Sequence, residues 1–296
     1  MSQDEREVSV NLRGAAAKLE VMEAPVCVGG RGPFDFIIDT GSSETLFTTQ
    51  LARRLGLSEE GPAIRFGGAG CFGSTHAIRM PALSLGRHLV AAADGYTIRA
   101  TGLGGPGQPQ GVLGVNSLSK LGPLRLDFRR RMLSIGDGTS AQADPLAASG
   151  AADLPADWRS RRPRIRAPLA MIGRGDGVSL RVIVSLGSGA PQAWLPDTGA
   201  WTSLIDGEDA AASHLQRVPG IIPQPLACSS KKLRTHRVWS RSWRLADHPL
   251  RPQALQVIAV KDTVGVEGVL GAKTMAEYDS VIFDWGDRQL LLGVGG

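Results

Sequence analysis

The sequence predicts a mainly β protein of two closed, barrel-like lobes with a few short helices. Three observations carry that expectation. The chain of 296 residues is long enough for about two domains, at roughly 150 residues each. It holds 38 glycines but only 5% aromatic residues, a balance that suits short strands and tight turns better than helix bundles. And it repeats itself. Asp39-Thr40-Gly41 returns as Asp197-Thr198-Gly199, 158 residues later. Gly111-Val112-Leu113-Gly114 returns as Gly268-Val269-Leu270-Gly271, and Asp127 (between Leu126 and Phe128) as Asp284 (between Phe283 and Trp285), both 157 later. A lone Asp-Thr-Gly is weak evidence, but three pairs in one order at an offset of 157 to 158 mark an internal duplication.

In the first copy, residues 24–28 and 34–38 flank a glycine-rich turn and read as a hairpin whose second strand ends at the Asp-Thr-Gly. Leu46-Phe47 follows, then a helix over about 50–55 that Thr48 or Thr49 can cap and Gly56 can end. The Gly111–Gly114 strand is followed by a short helix at about 117–121 and a last strand at 124–128. The second copy runs in parallel: strands at 180–186 and 192–195, a helix from its Asp206 cap to about 215, the Gly268 strand, a helix at 272–278 and a strand at 280–283. Between the copies, residues 137–168 are first rich in Ala, Ser, Asp and Pro, then basic through Arg159, Arg161, Arg162, Arg164 and Arg166. They read as a linker and lead-in strand with a solvated basic face. The expected division is a lobe at 1–140, a linker at 141–167 and a lobe at 168–296.

Composition narrows the function. With 42% hydrophobic and 21% charged residues, the chain buries a core and is not globally disordered. No apolar run approaches the roughly 18 residues of a membrane span, and the charged start shows no apolar leader. Cys27, Cys71 and Cys228 are far apart and form neither a Cys-x-x-Cys nor a zinc spacing, so a reduced, cytoplasmic protein is expected. A net charge of +5 calls for neither nucleic acid nor membrane as partner. The five histidines form no His-Glu-x-x-His, and no Gly-x-Ser-x-Gly is present, so no metal or organic cofactor is expected.

Ile37-Ile38-Asp39-Thr40-Gly41-Ser42-Ser43 with the later Gly111–Gly114, and Asp197-Thr198-Gly199-Ala200 with Gly268–Gly271, resemble the aspartic peptidases. Each lobe is similar to a bacterial retropepsin-type domain, and the fused pair to the two-lobed pepsins. The resemblance spans about residues 8–294 and implies an acid protease fold with pseudo-two-fold symmetry. It also implies that Asp39 and Asp197 form a catalytic pair at the lobe interface, with Thr40 and Thr198 bonding across to the opposite lobe. Gly41 and Gly199 allow the tight turns that bring backbone N–H groups to the carboxylates. Ser42 is expected to donate its hydroxyl to Asp39, which Ala200 cannot do for Asp197, so Asp39 is expected to be the more acidic member. The family's flap fits Phe66, Gly67, Gly68, Ala69 and Gly70, within a stretch from Arg65 to Phe72. The corresponding stretch of lobe two, around Ser229-Ser230-Lys231-Lys232, Arg234, His236 and Arg237, is polar and basic without glycine, so no second flap is expected. Pro196 and Trp201 depart from the family pattern, and neither Tyr96 nor Tyr278 falls in the flap.

Two carboxyls within hydrogen-bonding distance resist joint ionisation and share a proton. The ionised member can act as base on a water while the protonated member acts as acid toward a carbonyl oxygen. The expected function is therefore an intracellular aspartic endopeptidase acting on a peptide or protein substrate, with a monomer sufficient for the site. The same pair also suits proton transfer on a peptide, such as epimerisation, and the fold also suits a non-catalytic peptide-binding module.

Overall fold

The computed structural model describes residues 7–9, 11–13, 21–99, 103, 105, 107–136, 154–174, 177–226 and 229–294. Lobe one contains β1 (Glu7–Ser9), β2 (Asn11–Arg13), β3 (Val21–Val28), β4 (Arg31–Ile38), β5 (Leu46–Thr48), α1 (Thr49–Leu55), β6 (Glu59–Gly68) and β7 (Cys71–Met80). It continues through β8 (Leu83–Leu85), β9 (His88–Val90), β10 (Ala93–Ile98), β11 (Gly111–Leu113), α2 (Val115–Leu121), β12 (Leu124–Asp127) and β13 (Met132–Ile135). After α3 (Ala156–Arg159), lobe two contains β14 (Ile165–Pro168), β15 (Ala170–Arg174), β16 (Gly177–Leu186), β17 (Gln192–Asp197), β18 (Leu204–Ile205) and α4 (Gly207–Ala212). Then come β19 (Gln216–Leu226), β20 (Ser229–Ser240), β21 (Trp243–Leu245), β22 (His248–Pro249) and β23 (Gln253–Val257). The chain closes with α5 (Lys261–Val264), β24 (Gly268–Gly271), α6 (Ala272–Ala276), β25 (Ser280–Asp284) and β26 (Gln289–Leu292).

The duplication extends to every strand. Lobe one forms a sheet ordered β6-β7-β10-β5-β11-β4-β3-β8-β9, with β2 on β3. Lobe two repeats it as β19-β20-β23-β18-β24-β17-β16-β21-β22, with β15 on β16. A third sheet, β1-β13-β12-β25-β26-β14, takes three strands from each lobe. The lobes meet at its centre, where β12 and β25 pair antiparallel from Leu124↔Phe283 to Asp127↔Ser280. Alternation sets the buried faces: in β4, Phe34, Phe36 and Ile38 are buried while Asp35 and Ile37 are not. Phe36 meets Phe47 edge-on at 5.4 Å, and its counterpart Trp194 meets Trp243 at 5.8 Å. One continuous apolar core joins both lobes.

Several elements differ from the sequence reading. Helix α2 starts two residues earlier, at Val115, and α4 stops at Ala212, because His214 adopts a left-handed φ of 50° that turns the chain. Helix α6 likewise ends at Ala276, ahead of Asp279 at φ 67°. Lobe two carries a long hairpin, β19–β20, in the place of the lobe-one hairpin β6–β7, built in part from the polar, basic stretch. Its register irregularity between Val218 and Ile222 matches the one between Glu60 and Ile64, so backbone pairing holds it without a glycine-rich signature. Cys71 is disulfide-bonded, which corrects the expectation that all three cysteines are reduced; Cys27 is free. Among the described residues no helix is long and apolar enough to cross a membrane.

Candidate active site

Each Asp-Thr-Gly stands where a β-strand ends between two others. Strand β11 runs parallel to β4 and pairs Leu113 with Ile38; β24 does the same for β17, pairing Gly271 with Asp197. The next turns are pinned by the helices that follow. Val115 N–H donates to Ser42 O at 2.9 Å and Asn116 N–H to Ser43 O at 3.2 Å; in lobe two Ala272 N–H donates to Ala200 O at 2.7 Å and Lys273 N–H to Trp201 O at 2.9 Å. This explains the closing glycine of each Gly-Val-Leu-Gly: a Cβ at Gly114 would overlap the Glu44 backbone, and one at Gly271 the backbone of Trp201 and Thr202.

Asp39 and Asp197 come together across the lobe interface with their carboxyls hydrogen-bonded to each other. Asp39 Oδ1 accepts from Gly41 N–H at 2.8 Å and Ser42 N–H at 3.1 Å. Asp197 Oδ1 accepts from Gly199 N–H at 2.7 Å and Ala200 N–H at 3.0 Å. Gly41 and Gly199 also face the opposite aspartate so closely that a Cβ on either would overlap its carboxyl. Glycine is thus required here by the approach of the two loops.

Thr40 and Thr198 lock the loops together and are buried. Thr40 Oγ1 donates to Pro196 O at 2.8 Å and accepts from Thr198 N–H at 3.1 Å. Thr198 Oγ1 donates to Ile38 O at 2.6 Å and accepts from Thr40 N–H at 3.0 Å. Pro196 is accommodated because it is the second-to-last residue of β17, beyond the end of the β16 ladder at Trp194, and its carbonyl serves this lock. Trp201 supplies its backbone carbonyl to α6 as Ser43 does to α2, so its bulk leaves the loop path unchanged.

Burial pushes both carboxyls above the ordinary carboxylate range. The rise is larger for Asp197, whose proton is also held by the negative charge of Asp39 and the hydrogen bond to it. The expected bond from the Ser42 hydroxyl to Asp39 does not form. The Ser42 hydroxyl donates to Glu44 O at 2.7 Å, not to Asp39; Asp39 is stabilised by the hydrogen bond from Asp197 and by backbone N–H groups.

Other supports were missed in the sequence. Thr45 Oγ1 accepts from Gly114 N–H at 3.1 Å and lies 2.7 Å from Ser117 Oγ. Ser203 Oγ likewise accepts from Gly271 N–H at 3.0 Å and lies 2.6 Å from Thr274 Oγ1. Thr45 and Ser203, and Ser117 and Thr274, recur at the offset of the repeat, and that recurrence was the available signal.

The flap candidates form the end of β6–β7. Phe66 pairs with Gly73, Gly67 with Phe72 and Gly68 with Cys71, and Ala69-Gly70 make the turn, with Gly70 at φ 73°. Gly67 reaches lobe two, where a Cβ would overlap the Thr263 carbonyl of α5. A groove of about 520 Å³ lies elsewhere, on lobe two, between α4, β20 and α5. Its rim mixes Glu208 and Asp262 with Arg234 and Lys261. Among the described residues no group of three or more His, Cys, Asp or Glu could hold a metal ion.

Comparisons with known proteins agree with this architecture. The basic 7S globulin from soybean superposes with a TM-score of 0.50 at 11% identity, over 98% of this chain and 94% of that one. Conglutin gamma, a basic 7S globulin from lupine seeds, superposes with a TM-score of 0.47 at 11% identity, over 97% and 94%. No curated protein sequence matches the chain. A family model described as aspartyl protease matches twice, at residues 24–117 and 182–274, each match holding one Asp-Thr-Gly and one Gly-Val-Leu-Gly. With more than half its length so matched, at the two segments that carry the paired aspartates, the chain belongs to the aspartyl protease family.

Proposed function

We propose that this chain is an aspartic endopeptidase whose catalytic residues are Asp39 and Asp197. The observation that carries the reading is the hydrogen-bonded carboxyl pair, each member held by two backbone N–H groups and raised to share one proton. Asp39, the more acidic, takes a proton from a bound water as its oxygen attacks the peptide carbonyl carbon. Asp197 gives its proton to the carbonyl oxygen, and a neutral gem-diol forms. In the second half Asp39 protonates the amide nitrogen, Asp197 takes a proton back from one gem-diol hydroxyl, and the C–N bond breaks to leave an acid and an amine. The substrate is an extended peptide lying between the lobes, in part by strand-like backbone pairing with the β6–β7 hairpin. One chain supplies both halves of the site.

Activity requires the singly protonated pair. It is lost at low pH as Asp39 protonates and at high pH as Asp197 ionises. Since both groups lie above the ordinary carboxylate range, both limbs of the pH–rate profile are displaced upward from those of a free carboxyl. A peptide library digested by the protein and read by mass spectrometry is expected to show new termini. Asp39→Asn and Asp197→Asn are each expected to lower the rate by about a thousandfold or more. Full activity in either variant would overturn the reading. Peptides of unchanged mass that take up deuterium from heavy water would assign the pair to epimerisation, and binding without turnover would make the chain a peptide-binding module.

A further inference from the structure

The Asp206 carboxylate uses its two oxygens for two tasks. Oδ1 caps α4 by accepting from Glu208 N–H at 3.1 Å, and Oδ2 accepts from Val260 and Lys261 N–H, each at 3.1 Å, where α5 begins. The side chain is buried, so water does not replace these bonds if they are lost. The far end of α5 is held as well. Gly265 ends the helix at a left-handed φ of 77°, and its carbonyl accepts from the Arg181 guanidinium of β16 at 3.4 Å. Between these anchors Thr263 is buried and donates its hydroxyl to Ala259 O at 2.9 Å. A helix of four residues is not stable by itself, so these side chains set where α5 lies. What α5 presents to lobe one is the Thr263 carbonyl. Gly67 of the β6–β7 hairpin lies directly on it, and a Cβ there would overlap both the carbonyl oxygen and its carbon. No side chain fits between hairpin and helix at this point.

This seat has no equivalent in the other copy. The residue matching Asp206, 158 positions earlier, is Thr48; its single hydroxyl oxygen caps α1 through Leu51 N–H at 3.2 Å and leaves no second oxygen to reach further. The residues matching Lys261–Val264, 157 positions earlier, are Gly104-Gly105-Pro106-Gly107, a composition that opposes a helix. Lobe one supplies the hairpin that crosses the interface, and lobe two supplies the shelf it meets.

We propose that Asp206 is a positioning residue: through α5 it sets the seat on which the lobe-one hairpin closes across the lobe interface, and thereby how tightly a bound peptide is held. The consequence for peptides rests on the endopeptidase reading; the seat itself does not. Asp206 touches neither the Asp39–Asp197 pair nor its threonine lock, so the acid–base chemistry does not depend on it. A hairpin that closes over the peptide holds it equally before and during the reaction. Loss of the seat therefore weakens binding and leaves the chemical step alone.

Amide exchange of the full chain, read by mass spectrometry, tests the seat without turnover. Asp206→Thr gives lobe two the cap that lobe one has: it keeps a hydroxyl for α4 and loses the oxygen that holds α5. It is expected to speed exchange both in α5 and at the tip of β6–β7, the latter by at least about tenfold. Gly67→Ala is expected to speed exchange at the tip by a similar factor and to leave α4 at the parent rate. Thr48→Ala removes the matching cap of lobe one and is expected to leave the tip at the parent rate, which separates loss of the seat from general loss of stability. On a cleaved peptide, Asp206→Thr and Gly67→Ala are each expected to raise KM about tenfold, with kcat within about twofold and both limbs of the pH–rate profile unmoved. Tip exchange at the parent rate in Gly67→Ala, or faster exchange in α5 of Asp206→Thr without faster exchange at the tip, would overturn the proposal. So would a faster tip in Thr48→Ala, or a fall in kcat at constant KM. A chain that cleaves nothing yet shows the expected exchange pattern would sink the endopeptidase reading and leave the seat standing.

Discussion

Thr40 and Thr198 show how much of this site rests on two hydroxyls. Each is a donor to a carbonyl and an acceptor from an N–H of the other lobe, and both are at most 1% exposed. Thr198→Val keeps the shape but strands the Thr40 N–H and the Ile38 carbonyl where water cannot replace the lost partner. Two buried groups left unpaired cost about 2–5 kcal/mol, and denaturant unfolding is expected to show a loss in that range, while Thr198→Ser, which keeps the hydroxyl, loses about 1 kcal/mol. A Val variant as stable as the parent would mean the lock carries no weight. The pairing of these threonines was legible from the Asp-Thr-Gly context. The role of Ser42 was misread because the turn aims its backbone N–H, and not its hydroxyl, at Asp39.

Local signals defined helix starts well and long hairpins poorly. Thr48 caps α1 by accepting from Leu51 N–H at 3.2 Å, and Gly56 ends it at φ 74°; both bonds form within a few residues, so the sequence displays them. Asp206 was also legible as a cap, accepting from Glu208 N–H at 3.1 Å. Its second task was not, because the partners are more than fifty residues away: Oδ2 accepts from Val260 and Lys261 N–H, each at 3.1 Å, and so fixes the start of α5. Helix α5 carries the Thr263 carbonyl on which the lobe-one hairpin rests. Asp206→Ala is therefore expected to cost about 3 kcal/mol by denaturant unfolding, more than the roughly 1 kcal/mol of a simple cap. A loss of only about 1 kcal/mol would show that α5 holds its position unaided. The β19–β20 hairpin escaped sequence reading because its strands are held by backbone pairing with each other and with β23.

At the scale of the whole molecule the two copies are alike in topology but not in charge. Asp127 lies 3.6 Å from the Arg125 guanidinium, whereas Asp284, its counterpart, is 1% exposed with Oδ2 lacking a hydrogen-bond partner among the described residues. Burial, and then the neighbouring charge of Asp287, push Asp284 up to about 6. The unfolded carboxyl titrates near 4, so between those values the folded state binds the extra proton. Stability from this group is therefore full below about pH 4 and declines as pH rises through about 6. Asp284→Asn cannot ionise. Between pH 4.5 and 7 the parent is expected to lose about 1–2 kcal/mol relative to the variant in paired unfolding measurements. Equal slopes would show that Asp284 is ionised at no cost.

The amino-acid sequence by itself determined the duplication, the β-rich class and the identity of the paired aspartates, because these depend on residue order and on periodicities of two to a few residues. It also carried, unread, the equivalence of Thr45 with Ser203. Only the tertiary structure decided which groups meet: the shared sheet at β12–β25, the threonine lock, the reach of Gly67 to α5 and the larger rise at Asp197. Those features depend on distances between segments about 160 to 200 residues apart in the chain, and such distances exist only once both lobes have packed on one core.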